Sequence, residues 1–257
     1  MLHQFTSYLS FLLRSTNQHG VHSPFVYDLV TRCFYDTTAY PQYKDLDLYR
    51  KQLHDSKEIL FVTDHGSGSR IFRSDERPVA AIAKHAGIVR KRQRLLFRLV
   101  QYLQPHTVLE LGTSLGLGTI ALGLGNPTAE VHTVEGCPVT AKYTSEALKK
   151  ARLHNARVHT AVFEDFFSKT PHTTFDLVYI DGSHSQEQTL QNFQQLLNRK
   201  KEGTLLIFDD IYLNPSMTEA WRAIVHRPEV SVSIDTFQWG LVFFRSGQKK
   251  EHFTIRL

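Results

Sequence analysis

From residue 92 to residue 245, short apolar runs alternate with helical patterns, and this alternation constrains the fold more than any other feature of the chain. The runs Thr107–Leu111, Glu130–Glu135, Arg157–Phe163, Phe175–Asp181 and Thr204–Asp209 are nearly continuous in apolar residues, as strands buried on both faces are. Between and after them, Gly116–Leu124, Val139–His154, Gln186–Arg199 and Met217–Val225 carry helical periodicity. Strand, helix, strand, helix predicts parallel βαβ units with helices on both faces of the sheet. Val230–Thr236 and Leu241–Arg245, joined by a short connection containing Gly240, predict an antiparallel C-terminal hairpin on the sheet edge. The expected architecture is an α/β, doubly wound, mostly parallel sheet with that hairpin.

Residues 1–90 differ in texture and predict an N-terminal helical and irregular cap, with 91–257 as the second domain. The opening MLHQFTSYLSFLLRSTNQHG has no basic start, and Thr6, Ser7 and Ser10 interrupt its apolar run. It suits an amphipathic helix better than a signal peptide. Tyr8, Phe11, Phe25, Tyr27, Phe34, Tyr35, Tyr40, Tyr43 and Tyr49 crowd this region. They line a substrate lid or pack a helical layer, against the sheet or a second subunit of a homodimer; aromatic residues at this density favour packing. The segment HGVHSPF, with His19 and His22, suggests no mechanism.

Composition narrows the classes. Hydrophobic residues make up 41% of 257, enough for a globular core. The longest apolar runs, such as Ile59–Thr63, are far too short to span a bilayer, so no membrane association is expected. Cys33 and Cys137 stand far apart, which suggests neither a disulfide framework nor a zinc ribbon and fits a reducing cytoplasm. Part of the net charge of +5 sits in Lys84–Arg98. Such a run is usually a solvated helix face. With no zinc-finger spacing, RNP motif or aromatic ladder, it argues against nucleic acid as a partner.

The sharpest local pattern is VLELGTSLGLGT, 108–119. A strand ends at Leu111, Gly112, Gly116 and Gly118 follow, and an apolar helix begins. Glycines there allow a tight turn and a close backbone approach, and the helix start offers N–H groups to an anionic group. The spacing G-x-x-x-G-x-G differs from the dinucleotide G-x-G-x-x-G, which disfavours a nicotinamide-dependent oxidoreductase. The next strand ends in Glu135, 25 residues after Glu110 (135 − 110), where an acid can accept both ribose hydroxyls of a nucleoside. A second glycine-bearing stretch, EILFVTDHGSGSR (58–70), places Asp64, Gly66 and Gly68 after a strand, but no acid-ended strand follows at the right distance.

These residues resemble a known family. ELGTSLGLGT is similar to the first motif of the class I S-adenosylmethionine-dependent methyltransferases, and VEG to their second. FDLVYIDGSH and GTLLIFDD look like the fourth and fifth strands of the catechol-type O-methyltransferases and their relatives. The resemblance covers roughly residues 92–245 and implies a Rossmann-like fold. It implies that Glu110, Gly112, Thr113, Ser114, Gly116 and Gly118 line the methionine end of S-adenosylmethionine, that Glu135 and Gly136 bind the ribose, and that Glu164 or Asp165 lies near the adenine. Acids at a helix start also act as caps, so both readings of Glu164 and Asp165 stay open.

Asp181 ends the fourth strand, and Asp209 and Asp210 end the fifth. In a parallel sheet these ends open onto the cofactor crevice, and three converging carboxylates would repel unless a cation joined them. Mg²⁺ suits such oxygen ligands. The resembling metal-dependent enzymes carry Asp-Asn after strand five where this chain has Asp-Asp. The alternative is that Asp181 contacts the cofactor while Asp209 and Asp210 cap the next segment. His184, three residues after Asp181, stands where many relatives carry a lysine base, and an imidazole can take a hydroxyl proton near neutral pH. It could equally cap the helix beginning near Ser185. The expected activity is therefore methyl transfer to a hydroxyl of a small molecule, with nucleic-acid or protein methylation as the alternative. The chain lacks the N-P-P-Y-type loop of amino-methylating enzymes; DDIYLNP (209–215) is not that loop.

Overall fold

A computed structural model of the chain describes residues 2–63 and 74–257. The expected loop residues Asp64, Gly66 and Gly68 lie outside the described residues. The chain forms two compact units, one from Thr37–Pro171 and one from Met1–Asp36 together with His172–Leu257. Packing thus divides the chain at residues 36 and 171, whereas the sequence texture changes near residue 90.

The N-terminal stretch holds α1 (Leu2–Arg14) and α2 (Pro24–Leu29), which runs on into a π-helical turn at Val30–Phe34. The continuous unit then contains α3 (Tyr43–Asp55), β1 (Ile59–Phe61), β2 (Glu76–Pro78), α4 (Val79–His85) and α5 (Arg90–Leu103). It goes on with β3 (Thr107–Leu111), α6 (Leu117–Gly125), β4 (Glu130–Glu135), α7 (Pro138–Lys150), β5 (Ala156–Thr160) and α8 (Phe163–Lys169). The remainder is β6 (Phe175–Ile180), α9 (Gln186–Leu197), β7 (Lys200–Asp209), α10 (Pro215–His226), β8 (Val232–Asp235), β9 (Trp239–Phe243) and β10 (Glu251–Thr254). Strands β3 to β10 make one mostly parallel sheet.

Within the continuous unit, β4 lies between β3 and β5, all parallel, with Leu111 opposite Val134 and Glu135 opposite Thr160. Val108, Leu109 and Leu111 of β3 are fully buried, as a strand covered on both faces requires. Helix α7 starts with Pro138 at its first turn, where the missing N–H costs nothing. The basic run proves partly tied down. Arg90 pairs with Asp47 of α3, Arg94 Nη2 lies 3.0 Å from Asp47 Oδ2, and Arg94 also stacks over Tyr43.

Within the other unit, β6 and β7 run parallel, β9 pairs antiparallel to β7, and β8 antiparallel to β9. The expected hairpin is therefore present. It is not the edge of the sheet, because β10, which carries no apolar run and was not foreseen, pairs parallel to β8 beyond it. Asn214 caps α10 by accepting the Met217 N–H at 2.8 Å, and Pro215 takes the first helical position.

The crowded N-terminal aromatic residues mostly pack. Phe11, Phe34, Tyr43 and Tyr49 are buried, Phe25 meets Phe243 edge-on, and Tyr40 and Tyr43 meet Phe97. Tyr8 and Tyr27 stay exposed. The HGVHSPF segment makes a 3-10 turn at Gln18–Gly20, with Asn17 Oδ1 accepting the His19 N–H, and then the start of α2. Among the described residues, no helix is long and apolar enough to cross a membrane.

Candidate active site

Two clusters of the expected residues form, one in each unit. In the continuous unit, the chain leaves β3 at Leu111 and turns sharply through Gly112, whose φ is 102°. The N–H groups of Gly112 and Thr113 both donate to Val134 O of β4. Ser114 adopts φ 46° and Gly116 φ 76°, both in the left-handed region. Gly116 is the N-cap of α6, and a Cβ there would lie 2.8 Å from Thr144 Cγ2 and 3.0 Å from Tyr49 Oη. Around it, Tyr49 Oη donates to Leu115 O at 2.9 Å and Thr144 Oγ1 to Ser114 O at 2.6 Å. The loop is thus gripped from α3 and α7, while the first-turn N–H groups of α6, from Leu117 to Thr119, have no partner within the helix.

Glu135, at the end of β4, is fastened to this loop. Its Oε2 accepts the Ser114 N–H and its Oε1 the Cys137 N–H, each at 2.9 Å. Its two oxygens thus tie the loop and the turn into α7 to the end of β4. Gly136 follows in the turn into α7.

Glu110 sits beneath the loop. It is 1% exposed, and its Oε2 accepts the hydroxyls of Thr119 at 2.5 Å and Thr133 at 2.6 Å. Thr113 in turn bonds Thr133. Burial pushes the Glu110 carboxyl up to about 7, against the pull of the two hydroxyls. Its visible role is to brace strand, loop and helix from below. Glu164 and Asp165 occupy the first turn of α8, both exposed, where negative charge favours the helix end.

In the other unit, Asp181 follows β6 and Asp209 ends β7. The Tyr179 hydroxyl stands between them, 3.1 Å from Asp181 Oδ2 and 3.3 Å from Asp209 Oδ2. Asp209 is buried, and its Oδ1 accepts the Asp210 N–H at 2.9 Å. His184 Nε2 lies 3.6 Å from Asp181 Oδ1. Ser183, His184 and Asp210 all adopt positive φ, at 67°, 39° and 52°. Three non-glycine residues in that region beside two strand ends is the kind of local strain that gathers at functional sites. The His184 N–H donates to Gly182 O, and Ser185 caps α9 by accepting the Gln188 N–H. His184 is therefore not the helix cap.

The expected cation site does not assemble from Asp181, Asp209 and Asp210. Among the described residues, no group of three or more His, Cys, Asp or Glu side chains is placed to hold a metal ion. Asp209 is turned toward its own neighbours: its Oδ2 accepts the Tyr179 hydroxyl and its Oδ1 the Asp210 N–H. The donor set as placed does not fit Mg²⁺.

Tyr179, Thr119 and Thr133 were missed in the sequence. Each stands at an interval that alternation along a strand or one turn of helix makes meaningful: Tyr179 two before Asp181, Thr133 two before Glu135. That spacing was the available signal.

A family model described as a methyltransferase domain matches residues 109–211. Several solved structures share the fold. An O-methyltransferase from Bacillus cereus in complex with SAH matches with TM-score 0.53 and 20% identity, over 62% of this chain and 82% of that one. The O-methyltransferase TomG from Streptomyces achromogenes, in complex with SAM, matches with TM-score 0.54 and 18% identity, over 63% and 82%. An SAH-bound methyltransferase from Podospora anserina matches with TM-score 0.59 and 14% identity, over 88% and 96%. The model's span takes in the glycine loop, Glu135, Asp181 and His184, as well as Asp209 and Asp210. Residues 109–211 thus match a methyltransferase-domain model, and the chain adopts a Rossmann-like α/β fold.

Proposed function

We propose that the chain transfers the methyl group of S-adenosylmethionine to a hydroxyl oxygen of a small-molecule acceptor. The observation that carries this is the joined pair of glycine loop and Glu135. A strand, a loop with left-handed Ser114 and Gly116, and a helix start with open N–H groups are held together by the carboxylate that ends the next strand. The solved O-methyltransferases bound to SAH and SAM, of the same fold, support the choice of cofactor and reaction.

In this reading Gly112, Thr113, Ser114, Gly116 and Gly118 take the methionine end, Glu135 and Gly136 the ribose, and Glu164 or Asp165 the adenine edge. When bound, S-adenosylmethionine supplies a methyl group on a positively charged sulfur that leaves as a neutral thioether. The protein's own work is alignment and one proton. His184 Nε2 takes the acceptor's hydroxyl proton as the oxygen–carbon bond forms and the sulfur–carbon bond breaks. Asp181, 3.6 Å away, steadies the resulting imidazolium. No step requires a metal. The acceptor is a small molecule, because Arg90 and Arg94 are paired with Asp47 rather than presented to a polyanion.

Calorimetry with S-adenosylhomocysteine tests the reading. Binding to the wild-type chain is expected, with Glu135→Ala weaker by about 1–3 kcal/mol, the range for stranding a polar partner. Binding of NADH with none of S-adenosylhomocysteine would overturn it.

A further inference from the structure

Alongside α10 lies a pocket of about 340 Å³ that the proposed chemistry does not use. Four nitrogen groups ring it. Arg14 ends α1, Arg222 and His226 stand one turn apart on α10, and His252 lies on β10. Residues four apart share a helix face, so Arg222 and His226 present to the same side. One wall is Trp221, whose ring is tilted against that of His252 with centroids 6.3 Å apart.

One carboxylate, Asp235, also lines the pocket. It is 1% exposed, and its oxygens are committed: Oδ2 accepts the Tyr212 hydroxyl at 2.5 Å and Oδ1 the Phe237 N–H at 2.7 Å. Burial raises its carboxyl above the ordinary range. Its oxygens are turned toward Tyr212 and Phe237. The guanidiniums keep their charge. Arg14 Nε donates to Ser10 O, and its guanidinium also hydrogen-bonds the Tyr212 hydroxyl and faces Asp235, so it holds its place at the pocket with part of its fork engaged; His226 Nδ1 donates to Arg222 O, which leaves Nε2. Among the described residues, neither Arg14 nor Arg222 forms an ion pair. Burial, and after it Arg14 and His226 nearby, hold the His252 imidazole below its ordinary range.

We infer that this pocket binds the phosphate group of an organic phosphate monoester. Two guanidinium forks match the geometry of a phosphate, which offers several acceptor oxygens and up to two negative charges. The volume is that of a small-molecule site rather than of a bare ion, and the Trp221 wall gives the organic part an apolar surface. The monoester can be a soluble metabolite or a lipid headgroup.

The test titrates the whole chain with phenyl phosphate, inorganic phosphate, and phosphatidylcholine vesicles containing phosphatidic acid. Saturable binding of phenyl phosphate, tighter than that of inorganic phosphate, is expected. The double variant Arg14→Gln/Arg222→Gln should weaken it by about tenfold or more, as for lost charge-assisted bonds, with an unchanged melting temperature. Arg222→Lys should retain more affinity than Arg222→Gln. Vesicle binding that the double variant loses, without binding of phenyl phosphate, assigns the pocket to a lipid headgroup. Absence of binding to all three probes overturns the inference. So does binding that the double variant leaves unchanged, or, where the double variant melts early, binding that Arg222→Gln alone leaves unchanged.

Discussion

Glu110→Gln should stabilise the protein at neutral and alkaline pH, and the gain should vanish in acid. Glu110 titrates at about 7 when folded, against an ordinary value of 4.5. Below about pH 4.5 both states hold the proton, and the shift contributes nothing. Between 4.5 and 7 the folded state keeps a proton that the unfolded chain has released, so stability falls as pH rises. Above 7 both states are ionised, and the full penalty remains, about 3 kcal/mol from a shift of roughly 2.5 units at 1.36 kcal/mol each. The group is 1% exposed, so solvent screens little of this. Glutamine imitates the protonated acid: its carbonyl can still accept from Thr119 and Thr133, and no buried charge forms. Urea denaturation of both proteins from pH 5 to pH 8 gives the difference in stability, in which every other titrating group cancels. That difference should grow by about 2–3 kcal/mol in favour of the variant across this range. A difference that stays flat with pH, or moves the other way, would refute the placement of an uncompensated acid under the loop.

Gly116→Ala should lower stability by about 1–3 kcal/mol in urea denaturation, from a left-handed alanine and a Cβ set against Thr144 and Tyr49; unchanged stability would contradict the loop as described. His184→Ala should slow turnover about 10²–10⁴-fold while calorimetry shows unaltered affinity for S-adenosylhomocysteine, and a wild-type rate would remove it from the role of base. Activity should survive excess chelator, because among the described residues no three acidic, histidine or cysteine side chains converge to hold an ion; loss of activity restored by Mg²⁺ would show that they regroup.

Much of this was legible in the sequence, and for physical reasons. Strands β3 and β4 match their expected bounds because a strand buried on both faces leaves an unbroken apolar run. The strand expected at 157–163 stops instead at Thr160, and Phe163 opens α8, because Phe163 to Phe167 suit a helix as well as a strand. Strand β10 was invisible, since Glu251–Thr254 has no hydrophobic pattern and is a strand only because β8 offers it an edge. At the site, Gly116 and Glu135 were readable from spacing. The choice between a metal and a tyrosine for Asp181 and Asp209 was not, because it depends on which side chain the pleat of β6 brings to them. Likewise the bracing of Glu110 by Thr119 and Thr133 could not be read from its place in the motif, because it depends on which side chains the fold closes over it.

The compact unit built from Met1–Asp36 and His172–Leu257 is discontinuous, and this shapes how the chain can emerge from the ribosome. Thr37–Pro171 is uninterrupted, so the contacts internal to it can form as soon as it is synthesised. Residues 1–36 differ. Thr16 bridges to Ile255, the Tyr35 hydroxyl bonds Arg256 O, and Arg256 reaches Leu12 and Ser15, contacts that span more than two hundred residues. Until residues 251–256 are released, α1 lacks these fastenings and β8 lacks its outer neighbour. Residues 1–36 thus settle later than Thr37–Pro171, and until they do Phe11, which the finished fold buries, stays uncovered.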